Sequence, residues 1–225
     1  MNPITALPPA DPAAKSLTLY FSPLACSLAS RIVCYEAGVD IAYAEVDTKT
    51  KKMAAGGDFF TINPMGQVPV LELDGSVRLS ENTAVLQYLI DRFPEADLGP
   101  RDGFARSRLQ QWLGFIGTEL HKAVFVPLLD PTLDPAIRGH ANDKASLRLD
   151  VLERHLSAQD HLLDRYSVAD AYCVTVLNWA PYAGIDLTRW PAVKAYHARI
   201  AARPAVARAI GEEFALWKAE QRRAA

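Results

Sequence analysis

The stretch Leu17-Thr18-Leu19-Tyr20-Phe21-Ser22-Pro23-Leu24-Ala25-Cys26-Ser27 decides how the first half of the chain is read. Its first five residues are aromatic and apolar and stop at Ser22-Pro23, the pattern of a short buried strand. Pro23 suits the opening turn of a helix, and Ala25, Leu28, Ala29, Ile32 and Tyr35 then recur at helical spacing until Gly38 offers a permissive stop. A strand running straight into a helix predicts that Cys26 falls in the helix's first turn. There the unpaired N–H groups and the helix dipole favour an anion, which lowers a thiol pKa.

Downstream, residues 41–46 read as a second strand, and the polar run holding Lys49, Lys51, Lys52 and Gly56-Gly57 reads as loop with at most a short helix. Residues 68–73 and 77–79 read as two strands joined by the turn Asp74-Gly75, and residues 83–91 resume helical spacing. The segment Phe93-Pro94-Glu95-Ala96-Asp97-Leu98-Gly99-Pro100 breaks the pattern with two prolines and a glycine. Beyond it, residues 105–129, 136–163 and 168–179 are helical in pattern, and Pro181, Pro191 and Pro204 separate closing short helices. Ser167-Val168-Ala169-Asp170 is a helix start signal, a hydroxyl and a carboxylate placed to satisfy each other's backbone. The expected organisation is a flexible extension over 1–15 with Pro3, Pro8, Pro9 and Pro12, an α/β domain over 16–93, a linker over 94–103 and an all-α domain over 104–225.

Composition narrows the function classes. The chain has 225 residues, half of them apolar, too many for a disulfide miniprotein and enough for one large domain or two small ones. With 24 Lys+Arg against 26 Asp+Glu there is no broad basic field to hold nucleic acid or an anionic membrane. Three cysteines, with spacings that match no zinc pattern, point to free thiols in a reducing compartment. No apolar run approaches the ~18 residues of a membrane span. The first residues lack a basic and apolar leader, so the expected location is cytoplasmic.

Several residues are candidates for chemistry. A thiolate at Cys26 could attack a disulfide or pair with a second sulfur, with Ser27 as an adjacent donor; the competing reading of any cysteine is a small buried apolar residue. Cys34 lies eight residues along the same helix, ~12 Å away and beyond disulfide reach. Cys173 sits in an apolar run and reads as core. In Gln67-Val68-Pro69, proline at the entry of a strand is explained by a cis peptide that turns the Val68 backbone outward to pair with an extended ligand; a trans proline in a turn competes with it. Ser80-Glu81-Asn82 precedes a helix, a natural site for a carboxylate, though any helix can start with such residues. Lys51 is a solvated lysine unless something places it, and His121 has a role only if its helix faces Cys26.

Four segments together resemble the cytosolic glutathione transferases, most closely the bacterial beta class. They are Ser22-Pro23-Leu24-Ala25-Cys26-Ser27-Leu28-Ala29-Ser30, Asn63-Pro64-Met65-Gly66-Gln67-Val68-Pro69-Val70-Leu71, Thr118-Glu119-Leu120-His121-Lys122 and Ser167-Val168-Ala169-Asp170-Ala171-Tyr172. The resemblance covers residues 17–215. It implies a thioredoxin-like α/β N-terminal domain, an all-α C-terminal domain and a homodimer. It also implies glutathione as co-substrate, with no metal or further cofactor.

Residue by residue, the resemblance implies that Cys26 sits beside the glutathione sulfur and can form a mixed disulfide with it. Val68, before a cis Pro69, pairs with the cysteinyl backbone of glutathione. Glu81 and Asn82 hold the γ-glutamyl end, Lys51 meets the glycyl carboxylate, Thr118 and His121 face the sulfur, and Lys122 lends charge. The chain departs from the class at Phe21, where a tyrosine is common, at Leu24, where glycine is usual, at Asn82, usually Ser or Gly, and at Gly114, often Asn. Phe21 cannot donate to a thiolate, and Tyr20 should point to the opposite face of its strand. Cys26, Ser27 and His121 are then the candidate catalytic residues.

The expected activity is conjugation of the glutathione thiolate to small hydrophobic electrophiles, a detoxification chemistry. Phe125, Leu128, Trp179 and Tyr182 are candidates for the electrophile pocket. The alternatives are a glutathione-dependent thiol-disulfide oxidoreductase or peroxidase using Cys26, and a non-catalytic glutathione-binding protein.

Overall fold

A computed structural model describes residues 15–224. The extension expected over 1–15 lies, apart from Lys15, outside the described residues. Five strands, β1 (Leu17–Phe21), β2 (Ala42–Asp47), β3 (Lys52–Met53), β4 (Val70–Leu73) and β5 (Val77–Ser80), form one sheet in the order β3-β2-β1-β4-β5. β1 pairs parallel with β2 and antiparallel with β4, so that Leu19 lies opposite Tyr43 on one side and Leu71 on the other. Helix α1 (Leu28–Glu36) makes the crossover between the parallel strands, and α2 (Asn82–Arg92) follows β5.

The alternation within β1 sorts the two faces. Leu17, Leu19 and Phe21 enter the main core, while Tyr20 joins Val46, Phe59, Val68 and Val70 in a smaller cluster on the opposite face. Tyr20 thus points away from the Phe21 side, as expected, and its hydroxyl donates to Glu72 Oε1 at 3.4 Å.

The helical part comprises α3 (Gly103–Gly114), α4 (Val126–Leu129), α5 (Pro135–Leu156), α6 (Val168–Leu177), α7 (Pro191–Ala201) and α8 (Pro204–Ala224). Its α6 and α8 pack directly on α1, and one apolar core runs without a break from Leu19 and Ile32 to Val174 and Tyr196. The fold is thioredoxin-like α/β in its N-terminal part and all-helical in its C-terminal part. The start signal at Ser167 forms a capping box. Ser167 Oγ accepts from Ala169 N–H at 3.3 Å, and Asp170 Oδ2 accepts from Ser167 N–H at 2.9 Å. Asp170 is fully buried, and its Oδ1 accepts from Leu162 N–H at 3.0 Å and from the Tyr196 hydroxyl at 2.9 Å.

Several elements differ from their sequence patterns. α1 starts at Leu28, because residues 22–27 form tight turns (Ala25 N–H to Ser22 O, 3.1 Å) before the helix proper. β4 starts at Val70, after the Val68–Pro69 peptide, which is cis. Lys52–Met53, read as loop, pairs with the end of β2. α5 ends at Leu156, where the Ser157 hydroxyl donates back to Glu153 O at 2.7 Å, well before residue 163. α8 is 21 residues long, so the last helix is not short. Between α3 and α4, Phe115–Phe125 forms a π-helical stretch that no hydrophobic period announces.

Candidate active site

The thiol of Cys26 lies on the turn between β1 and α1, two residues ahead of the first helical residue. Its Sγ–H donates to Val68 O at 3.3 Å. The loop that delivers Val68 is braced by one side chain. Asn63 Nδ2 donates to Gln67 O at 2.7 Å while its Oδ1 accepts from Met65 N–H at 3.1 Å. Gly66 sits in that loop at φ +59°, where an added Cβ would fall 2.9 Å from the Phe60 ring and 3.1 Å from the Lys51 side chain. Lys51 Nζ donates to Gly66 O at 2.9 Å, so this lysine is placed against the loop rather than loose in solvent.

Two expectations about the thiol are corrected. Burial pushes Cys26 up to about 11, and the opposing pull of Lys122 and of the Cys26 and Ser27 main-chain N–H groups does not offset it. The thiol is therefore not lowered in the free protein. The Ser27 hydroxyl is not a donor to sulfur: it is fully buried, accepts from Ser22 N–H at 3.2 Å and donates to Ser22 O at 3.3 Å. What Ser27 offers the sulfur is its main-chain N–H.

Leu24 adopts φ +60°, a left-handed conformation for which glycine is the ordinary choice. Both of its backbone groups are held from the helical part. Leu24 N–H donates to Glu213 Oε2 at 2.8 Å, and Leu24 O accepts from Trp179 Nε1 at 2.8 Å. Glu213 also pairs with Arg31 (Nε to Oε1, 3.2 Å), whose guanidinium lies 4.2 Å from the Phe21 and Tyr43 ring centres. Sequence reading missed Glu213 and Arg31, which carry no motif and meet only through packing of α8 on α1.

His121, on the π-helical stretch, is 8% exposed, with Nδ1 2.8 Å from the Tyr172 hydroxyl and its ring 4.9 Å from that of Trp179. Burial, then Lys122, lowers it to about 4, so the imidazole is neutral at physiological pH. Trp179 touches both His121 and Leu24, and the Cys26 thiol acts electrostatically on the Tyr172 hydroxyl. Trp179 thus bridges the histidine stretch and the turn that carries Cys26.

Glu81 caps α2 at φ +67° and acts on both Cys26 and Tyr172. Asn82 faces inward: its Oδ1 accepts from Ser30 Oγ–H at 3.2 Å, leaving its main-chain N–H at the helix start. Thr118 is exposed and donates its hydroxyl to Gly114 O at 3.0 Å.

Of the four aromatic and aliphatic candidates for a pocket wall, Phe125 is fully buried and Leu128 nearly so, which removes Phe125 from any open wall. Tyr182 is 60% exposed and meets Trp217 of α8, which stacks on Phe214 at 5.7 Å. Phe214 and Trp217 were not among the candidates, although their i, i+3 spacing signals a shared helix face.

Comparison with known proteins decides the lineage. Residues 25–92 match the family model "Glutathione S-transferase, N-terminal domain" and residues 120–204 match "Glutathione S-transferase, C-terminal domain". The chain belongs to the glutathione S-transferase family. Glutathione S-transferase GstA of Escherichia coli O157:H7 is 36% identical over 199 residues, 88% of this chain and 98% of the relative. A glutathione transferase structure from Methylococcus capsulatus str. Bath is 48% identical with a TM-score of 0.84, covering 88% of this chain and 98% of that one. A beta-class glutathione S-transferase from Sphingomonas chungbukensis is 41% identical with a TM-score of 0.83, covering 87% and 98%. As a glutathione S-transferase the protein is an enzyme of the transferase type, and its likeness to a beta-class structure agrees with the motif around Cys26.

Proposed function

We propose that the enzyme conjugates the thiolate of glutathione to small hydrophobic electrophiles. The observation that carries this reading is the 3.3 Å contact between Cys26 Sγ and Val68 O. A ligand backbone pairing with Val68 would set its own cysteine sulfur next to Cys26. Lys51, which donates to the neighbouring Gly66 carbonyl, would meet the glycyl carboxylate. The start of α2, with Glu81 and the Asn82 N–H, suits the γ-glutamyl end through its free N–H groups. A neutral His121 offers an N–H to the sulfur without adding a charge that must be desolvated, and Lys122 supplies positive potential from the exposed side. Binding then supplies proximity between thiolate and electrophile. Trp179, Tyr182, Trp217 and Phe214 offer an aromatic surface for an apolar partner. We place the enzyme in the cytoplasm, as a homodimer.

Disulfide exchange by Cys26 is the second reading, and the upward shift of its thiol weighs against it, since exchange needs that cysteine as thiolate. The test compares wild type with Cys26→Ala in two assays, conjugation of a chlorinated nitroaromatic and reduction of a glutathionylated disulfide. Conjugation retained by Cys26→Ala supports the proposal. Wild type that reduces the disulfide but forms no conjugate would reassign the enzyme to exchange.

A further inference from the structure

Tyr172 has no assigned part in the chemistry above, yet its hydroxyl lies at the meeting point of His121, Asn82 and Cys26. We propose that Tyr172 is a positioning residue for His121: its hydroxyl donates to Nδ1, holds the ring as the Nε2–H tautomer, and leaves that N–H as the group that meets a sulfur beside Cys26. The inference rests on the reading that glutathione binds at Cys26.

The direction of the hydrogen bond follows from the donors and acceptors around the hydroxyl. A neutral imidazole has one donor nitrogen and one acceptor. Nδ1 lies 2.8 Å from the Tyr172 oxygen, so one of the two donates. Its other polar neighbour is the Asn82 side-chain amide, whose Oδ1 is taken by Ser30 and whose nitrogen can only donate. The tyrosine proton therefore has His121 Nδ1 as its acceptor.

Burial holds the Tyr172 hydroxyl protonated, well above its usual range, and Cys26 and Glu81 push it further in that direction. The ring cannot readily turn over. It is 8% exposed, edge-on to Tyr172 at 6.0 Å and against Trp179 at 4.9 Å. His121 then acts as a fixed donor and not as a base.

The test is the long-range proton–nitrogen spectrum of the 15N-labelled full-length enzyme, with the His121 signals identified by their loss in His121→Ala. The expected result in wild type is a single Nε2–H tautomer that stays neutral between pH 8 and 5.5. Tyr172→Phe removes one hydroxyl and should yield a mixture of tautomers. It should also lower kcat about five- to tenfold, the worth of one hydrogen bond, with KM for glutathione unchanged. In a His121→Ala background Tyr172→Phe should have no further effect on kcat. An Nδ1–H tautomer in wild type, or an unchanged tautomer in Tyr172→Phe, overturns the proposal. The wild-type tautomer is read without any substrate, so a failure of conjugation with the Nε2–H tautomer intact would count against the functional reading alone.

Discussion

Leu24 and Glu213 are 189 positions apart in sequence, yet the Leu24 N–H donates to the Glu213 carboxylate at 2.8 Å. The contact ties the last helix to the turn that carries the thiol. Glu213 is fully buried, and its other oxygen faces the buried Arg31 guanidinium at 3.2 Å. The two groups share one closed environment, so each depends on the other for solvation.

Removing that carboxylate should be expensive. Glu213→Ala leaves a buried guanidinium facing only the exposed-side Glu212 (3.5 Å) and leaves the Leu24 N–H without its acceptor. The expected loss is about 3–5 kcal/mol of unfolding free energy, the usual cost of breaking a buried pair from one side. Urea unfolding of wild type and variant measures it, and a loss under about 1 kcal/mol would mean that the pair is solvated in solution.

The thiol should titrate high in the free enzyme. Burial raises Cys26 to about 11, so the rate of its alkylation by iodoacetamide should climb with pH through the alkaline range and show no plateau near neutrality. Lys122→Met removes the leading opposing influence and should move the profile higher still. Cys34, buried and pushed up to about 12, should remain unlabelled in the native protein. A midpoint near pH 7 would mean that the helix start outweighs burial.

The start of α6 provides a graded test of stability. Ser167→Ala loses one side of the capping box and should cost about 1 kcal/mol. Asp170→Ala loses the acceptor of Leu162 N–H, Ser167 N–H, the Ser167 hydroxyl and the Tyr196 hydroxyl together, four buried donors. It should cost at least 3 kcal/mol, since each stranded donor costs about 1–3 kcal/mol. Equal effects of the two substitutions in thermal or denaturant unfolding would show that Asp170 serves the cap alone.

Much of the fold was legible because local rules suffice for it. The alternation of Leu17, Leu19 and Phe21 against Tyr20 placed the two faces of β1, and Asp74-Gly75, both at positive φ, made the turn between β4 and β5. The Ser167 to Asp170 cap was equally local. The π-helical stretch was not, because its apolar residues fit an ordinary helix period and only the wider backbone pairing, as in Val126 N–H to His121 O, distinguishes it. Lys52–Met53 was lost in a polar run, since a two-residue edge strand is too short for periodicity to register.

At the site, the sequence by itself determined which groups are present: one thiol after the first strand, a proline at the entry to β4, and a histidine on a helix of the second half. Only the tertiary structure decided their states. Whether Cys26 is raised or lowered depends on how much water the Val68 loop and the other segments around it exclude, a sum over the packing of distant parts of the chain. Whether the Ser27 hydroxyl is free depends on the path of Ser22, and whether His121 has a partner depends on Tyr172, 51 residues away. Periodicity and motif report what a segment prefers; solvation and hydrogen-bond pairing in an interior belong to all the segments that enclose it.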